Sequence, residues 1–328
     1  MRICTITCSN TDNHGARLQT YALAKYLRDQ GNDVSVIDYR PPYMDQSFRV
    51  FFWPRLSIKE WAKFFLRFPR RIRSKKRHKS FLAFSEKYIP LTAKIYRSIQ
   101  ELRQDPPKAD VYIAGSDQIW NTYFPNGTDP AFYLDFGPKT TRRESFAASF
   151  ATTELRPGTE VFVRTNLSRF DKLSVREESG LSLLEQLGIL GGVREDDPVF
   201  LLSAEKWENL ADGTGDGEHY LLVYDFFSDP TLKQKAKNVA RSRNLRIFSI
   251  SPFKQYYADR NFTTAGPKSF VSLIKNAVIV VTNSYHAIAF CSIFQREYLF
   301  VPRPDGLNAR IEDLIKRLPR RPCDPWTT

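Results

Sequence analysis

Ala277-Val278-Ile279-Val280-Val281-Thr282-Asn283-Ser284-Tyr285-His286-Ala287 runs from an unbroken apolar stretch into a polar cluster, and a second apolar stretch, Ile288 to Phe294, follows. The first stretch reads as a buried strand and the second as the start of a helix. A strand-to-helix turn at the carboxyl edge of an α/β sheet is where such folds build ligand sites. The helix N-terminus there presents backbone N–H groups and positive potential to an anion. The chain has four His residues, at 14, 78, 219 and 286, and of these His14 and His286 fall at such turns.

Working outward from this turn, the same alternation recurs. Strand His219 to Tyr224, helix Pro230 to Ser242 and strand Arg246 to Ile250 precede helix Pro267 to Asn276 and the strand just quoted. At the other end, strand Ile3 to Cys8, helix Ala16 to Gln30 and strand Asp33 to Tyr39 form another β-α-β unit, which implies parallel strands. Further strands are expected at Asp110 to Ala114, Ser145 to Ser149 and Lys172 to Val175, with a helix from Glu177 to Leu187. The Gly- and Asp-rich stretch Ala211 to Gly217 marks a loop between domains. The expected fold is α/β, with two Rossmann-like domains facing across a cleft. The first covers residues 1–205 with a basic, aromatic insertion at about 50–80, and the second covers 216–328. A cleft of that kind suits a donor and an acceptor.

With 328 residues, 42% of them hydrophobic, the chain can bury sizeable cores, and no apolar run reaches the roughly 18 residues of a membrane span. The N-terminus reads as a first strand rather than a signal peptide, so a cytoplasmic location is expected. Cys4, Cys8, Cys291 and Cys323 show no zinc spacing and read as buried thiols. No His/Asp/Glu cluster has metal spacing, and the Gly213-x-Gly215 pair lies in an acidic loop without a preceding strand, which excludes a dinucleotide fingerprint. The net charge of +13 is concentrated. Residues 55–79 hold eleven Lys or Arg against the single acid Glu60, interleaved with aromatics such as Trp61, Phe64 and Phe65, and Trp53 stands just before them. Such a segment either lies on an anionic membrane surface or is a solvated helical insertion whose aromatics pack on the domain. No nucleic-acid fold signature accompanies it.

Several segments resemble the polysaccharide pyruvyl transferase family: Asn10 to Leu23, Ala114 to Asn121, Ser174 to Ser179, Asp197 to Leu202, and Gly266 to Phe270 followed by Val280 to His286. They occur in the expected order and span about residues 1 to 310. The resemblance implies a GT-B-like fold and transfer of the enolpyruvyl unit of phosphoenolpyruvate to two hydroxyls of a sugar, giving a cyclic pyruvate ketal. It implies no cofactor, with phosphoenolpyruvate as the donor substrate. The acceptor would be a sugar of a cell-surface polysaccharide or its lipid-linked precursor, which suits an enzyme resting on the inner face of the membrane. Two alternatives stand beside it: a GT-B glycosyltransferase using a nucleotide sugar, and a binding or scaffold protein that kept the fold without catalysis.

The chemistry assigns candidates. A donor carrying phosphate and carboxylate needs Arg and free N–H groups, and protonation of its methylene carbon needs an acid, for which His serves near neutral pH. By resemblance His286 is the catalytic residue, or else a capping or packed core His, with Asn283 and Ser284 as donor contacts. Ser284 stands where the family usually has Arg. Arg176, opening a helix after Leu173 to Val175, is the candidate cation for the donor, or else the partner of Glu177, Glu178 or another acid. Asp117 is a candidate base for a sugar hydroxyl, or a turn cap. Gly15 permits close backbone approach to the donor. Asp12, Asn13, His14, Gln19, Ser116, Gln118, Trp120 and Asn121 are the candidate acceptor contacts, with the Trp120 face available to stack on a sugar ring. Asp12 is alternatively the N-cap of the first long helix.

Overall fold

The computed structural model describes residues 1–44, 58–225, 228–303 and 308–318, with side chains of residues 58–71 excepted. The chain divides into two compact units. The first holds Met1–Met44, Ser85–Ser203 and Arg303–Leu318; the second holds, among described residues, 58–84 and Ala204–Pro302.

In chain order the first stretch runs β1 (Arg2–Ile6), α1 (His14–Asp29), β2 (Asp33–Tyr39), the long α2 (Ile58–Tyr88), β3 (Leu91–Tyr96), α3 (Ile99–Gln104) and β4 (Val111–Asp117). It continues through β5 (Arg142–Ala148), α4 (Glu160–Leu167), β6 (Ser174–Val175), α5 (Glu178–Gln186) and β7 (Val193–Arg194). The second unit follows with α6 (Ala204–Leu210), β8 (Tyr220–Tyr224), α7 (Pro230–Ser242), β9 (Arg246–Ile250), β10 (Arg260–Asn261) and α8 (Pro267–Asn276). Next come β11 (Ile279–Thr282), α9 (Tyr285–Ile293) and β12 (Glu297–Phe300), and α10 (Ala309–Arg317) belongs to the first unit again.

Both sheets are wholly parallel among the described strands. The seven-stranded sheet has the order β3-β2-β1-β4-β5-β6-β7, and the five-stranded sheet β10-β9-β8-β11-β12. Each order reverses once, between β1 and β4 in the first and between β8 and β11 in the second. Outside the carboxyl ends of strands at such a reversal, connections leave in opposite directions and open a crevice. The strands show why the sheets are double-covered. All residues of β8 and β11 are buried, as parallel strands with helices on both faces require.

Local signals set the helix ends. Asn13 caps α1, its side-chain oxygen accepting from Ala16 N at 3.2 Å. Gly31 at φ +81° closes the same helix in the left-handed conformation that glycine adopts at low cost. Asp229 caps α7 through the N–H of Thr231, and Pro230 occupies the first helical position. The first core centres on Trp120, stacked on Tyr133 with ring centroids 5.8 Å apart and flanked by Phe150 and Phe170. In the second, Trp207 of α6 and Phe270 of α8 both meet Phe290 of α9 edge-on. This packing seats the helix that carries His286.

Cys4 and Cys291 are buried thiols and Cys8 is half-buried, all three unoxidised; Cys323 lies outside the described residues. Among the described residues no group of His, Cys, Asp and Glu is placed to hold a metal, and no helix is long and apolar enough to cross a membrane. Of the basic insertion, residues 51–57 lie outside the described residues. Within its helical part, Lys75, Lys76 and Lys79 are exposed. Arg77 departs from the expected surface role. It is only 5% exposed and its guanidinium sits 5.1 Å from the Phe81 ring centroid, since α2 turns this face inward.

Candidate functional site

In the second unit, β11 ends at Thr282, whose hydroxyl donates to Tyr224 O at the end of β8 (2.9 Å) and accepts from Ser284 N (3.1 Å). This bond ties the two switch-point strands together and sets the turn that follows. Ser284 takes the N-cap position of α9 with extended backbone, but its side chain makes no capping hydrogen bond. His286 is the second residue of this nine-residue helix, 9% exposed, its ring 5.2 Å from that of Tyr285 at 79°. Asn283 is 3% exposed, and its Nδ2 has no hydrogen-bond partner among the described residues. A buried amide donor without a partner costs about 1–3 kcal/mol, so this one, at the mouth of a helix N-terminus, is suited to an anion. Asn283, Ser284 and His286 thus stand together at the reversal of the five-stranded sheet.

The reversal of the seven-stranded sheet is built from the loops after β1 and β4. Three sequence candidates hold these loops rather than face a ligand. Gln19 is fully buried. Its Nε2 lies 3.1 Å from Thr7 Oγ1, and its Oε1 accepts from Ser116 N at 3.2 Å. Ser116, also fully buried, accepts from Thr7 Oγ1 through its carbonyl (2.7 Å) and donates its hydroxyl to Ala147 O. Together they rivet β1, α1, β4 and β5. Asn121 is 1% exposed, and its Oδ1 accepts from Tyr123 N.

Trp120 corrects the expectation of a sugar platform. Its ring is fully buried and its Nε1 donates to Phe132 O at 3.0 Å, because the aromatic core supplies a larger apolar contact than any exposed stacking face. His14, expected as an acceptor contact, is likewise fully buried in the first turn of α1, and Gly15 is buried beside it. The capping role falls to Asn13 rather than Asp12. Asn13 stays exposed, while Asp12, Asp117 and Gln118 are half-buried. Asp117 sits at φ +74°, a sparsely populated conformation for a residue with Cβ. Its backbone carbonyl accepts from Ser149 N and Ile119 N, so the sheet edge and the turn jointly impose that conformation on the last residue of β4.

Arg176 is 1% exposed and ion-paired: its Nη1 meets Asp197 Oδ2 at 2.6 Å, and its Nε is 3.8 Å from Glu177 Oε2. Glu177 is held in turn by Ser149 Oγ and Ala151 N. Of the two readings open in the sequence, this geometry favours the acid partner, with Asp197 as that acid. The motif that carries Arg176 is therefore anchored by a buried ion pair.

Residues that sequence reasoning missed complete the picture. Arg17, 2% exposed, donates from Nε to Thr11 O at 3.0 Å and from Nη1 to Ser85 Oγ. Burial first, with the charge of Arg40 adding, pulls its guanidinium down to about 10. It fixes the loop that carries Asp12. Tyr39 and Tyr43 both donate to Asp129 Oδ2 at 2.7 Å. Burial, then the charges of Asp117 and Asp129, raise the Cys8 thiol well above its ordinary range. Arg310, on α10, is half-buried. With the Gln118 amide oriented oxygen-outward, that oxygen accepts from both terminal guanidinium nitrogens at 2.6 and 3.0 Å. No sequence signal marks Arg310, since it lies in an ordinary amphipathic helix beyond the last motif.

A family model described as polysaccharide pyruvyl transferase matches residues 13–301. No curated protein matches the chain. Among solved structures, UDP-GlcNAc 2-epimerase from Neisseria meningitidis bound to UDP-GlcNAc is similar at 12% identity, covering 94% of this chain and 85% of that one, with a TM-score of 0.52. The UDP-GlcNAc 2-epimerase of Methanocaldococcus jannaschii is similar at 12% identity over 100% and 96%, TM-score 0.47. The Escherichia coli heptosyltransferase WaaC with ADP is similar at 12% identity over 94% and 89%, TM-score 0.41. At such identity the Neisseria structure speaks to the fold alone, which is α/β and GT-B-like.

Proposed function

Because the chain belongs to the polysaccharide pyruvyl transferase family, a family of transferases, we propose that it moves the pyruvyl group of phosphoenolpyruvate onto two hydroxyls of one sugar as a cyclic ketal. The observation that carries this reading is the grouping of Asn283, Ser284 and His286 at the start of α9, where an anion and a proton donor are both provided for. His286 gives a proton to the methylene carbon, which becomes the methyl group. Positive charge develops at C2 and a sugar hydroxyl adds there, losing its proton to a base. The C2–O bond to phosphate then breaks, phosphate leaves with the electron pair, and the second hydroxyl closes the ring. Two hydroxyl protons are released and two are taken up, by the methyl carbon and by the departing phosphate.

The test is acceptor-dependent phosphate release from phosphoenolpyruvate across a panel of sugars and lipid-linked sugars, alongside thermal shifts with phosphoenolpyruvate and with nucleotide sugars. Release with one acceptor class, and stabilisation by phosphoenolpyruvate, are expected. Stabilisation by a nucleotide sugar alone would replace this reading with glycosyl transfer. No turnover with either donor would leave a binding protein.

The basic segment attaches the enzyme to the anionic inner face of the membrane, where a lipid-linked acceptor resides. Each Lys or Arg near such a surface contributes about 1 kcal/mol, and the charge of residues 55–79 together with the exposed Lys75, Lys76 and Lys79 supports this.

A further inference from the structure

The turn that carries His286, Thr282 to Ala287, contains no Lys or Arg. Arg176 is buried and paired with Asp197. A phosphate or carboxylate is best met by a cation with donors to spare, and the first unit holds one. Arg310 is half-buried on α10, and its electrostatic neighbours include the cations Arg176 and Arg303 and the acids Asp117 and Glu177. Burial, with the like charge of Arg176 adding, draws its guanidinium down to about 10, and Asp117 and Glu177 oppose the fall.

Among the described residues Arg310 makes no ion pair, although Asp117 is close enough to act on it. It forks instead onto the neutral amide oxygen of Gln118. Were charge neutrality the only requirement, the half-buried carboxylate of Asp117 would be the better partner, because a charge-assisted pair is the stronger one. The fork uses one N–H on each terminal nitrogen and leaves the remaining donors without a described partner. A partly desolvated guanidinium held in a fixed plane by a neutral acceptor is pre-oriented for an anion. It stands at the carboxyl end of β4, next to the strand-order reversal of the seven-stranded sheet.

We propose that Arg310, aligned by Gln118, is an anion-binding cation of the first unit and takes a phosphate or carboxylate group such as phosphoenolpyruvate carries. This subsite rests on the donor reading above and adds the residue that recognises the donor. Gln118 is a positioning residue in it.

The experiment is calorimetric titration of the full chain and of its R310Q, R310K and H286Q variants with phosphoenolpyruvate, and separately with inorganic phosphate and with a nucleotide sugar. Far-UV circular dichroism and melting curves check each fold. R310Q is expected to weaken phosphoenolpyruvate at least ten-fold. R310K is expected between the two, since it keeps the charge and loses the planar fork, and its native fold keeps the test meaningful if R310Q melts. H286Q should bind within a few-fold of the parent. Parent-like binding by R310Q overturns the subsite and leaves the donor reading intact. If the parent ignores phosphoenolpyruvate but binds the nucleotide sugar or phosphate, and R310Q weakens that ten-fold, the anion subsite stands and the donor reading falls.

Discussion

Replacing Asp197 by Asn removes one charge from a pair whose side chains are 1% and 0% exposed and whose closest atoms are 2.6 Å apart. An exposed pair of this geometry would be worth about 0–1 kcal/mol. Here the surviving guanidinium has no water to return to, and breaking a buried pair by removing one partner costs about 3–5 kcal/mol. Two features place the expected loss near the lower bound. Glu177 Oε2 remains 3.8 Å from Arg176 Nε, and Asn can keep the Oδ1 bond that Asp197 makes to Val199 N at 3.1 Å. We therefore expect about 3 kcal/mol, which in a unit of this size corresponds to roughly 6–12 °C in melting temperature. Urea unfolding followed by circular dichroism measures it, with R176M and the double variant completing a cycle. The double variant should recover much of the loss, because it removes the orphaned charge as well. A loss below about 1 kcal/mol for D197N, or strict additivity of the two single changes, would refute the view of Arg176 and Asp197 as a buried mutually dependent pair.

H286Q should retain the parent's melting temperature within a few degrees and lose about 10²–10⁴-fold in turnover, measured as phosphate release with the correct acceptor; unchanged rates would remove His286 from proton transfer. G127A should destabilise by about 1–3 kcal/mol, because a Cβ there would stand 2.1 Å from the backbone oxygen of Asn121 and the backbone cannot yield as a flexible side chain would; a parent-like unfolding midpoint would contradict this. W120A should cost about 3–5 kcal/mol and abolish folding-dependent binding rather than acceptor affinity alone, whereas a folded variant with a raised acceptor KM only would restore Trp120 to the sugar site. Co-sedimentation with anionic vesicles should fall steeply with salt and drop when Arg70, Arg71, Arg73, Lys75 and Lys76 become Ser with Arg77 left in place; equal sedimentation of both proteins would remove the membrane role.

What the sequence determined by itself is whatever repeats within a short window. Helix Pro230–Ser242 and strand Arg246–Ile250 emerge with the bounds read from their pattern, because a cap, a proline and an apolar period lie within one element. The turn at Asn283 to His286 was equally legible, since strand, polar cluster and helix are adjacent. Tertiary structure decided the rest. β3 at the sheet edge mixes exposed and buried residues without a clean period, and β7, two residues long, offers no period at all. Trp120 and Gln118 are two residues apart and equally plausible as sugar contacts on paper. One is committed to the aromatic core and the other to Arg310. Gln19 bonds to Ser116 and Arg176 to Asp197 across gaps that no local pattern encodes. Burial and charge pairing depend on which distant segments the fold brings together, and that is why the role of a polar side chain at a loop is settled by its neighbours in space.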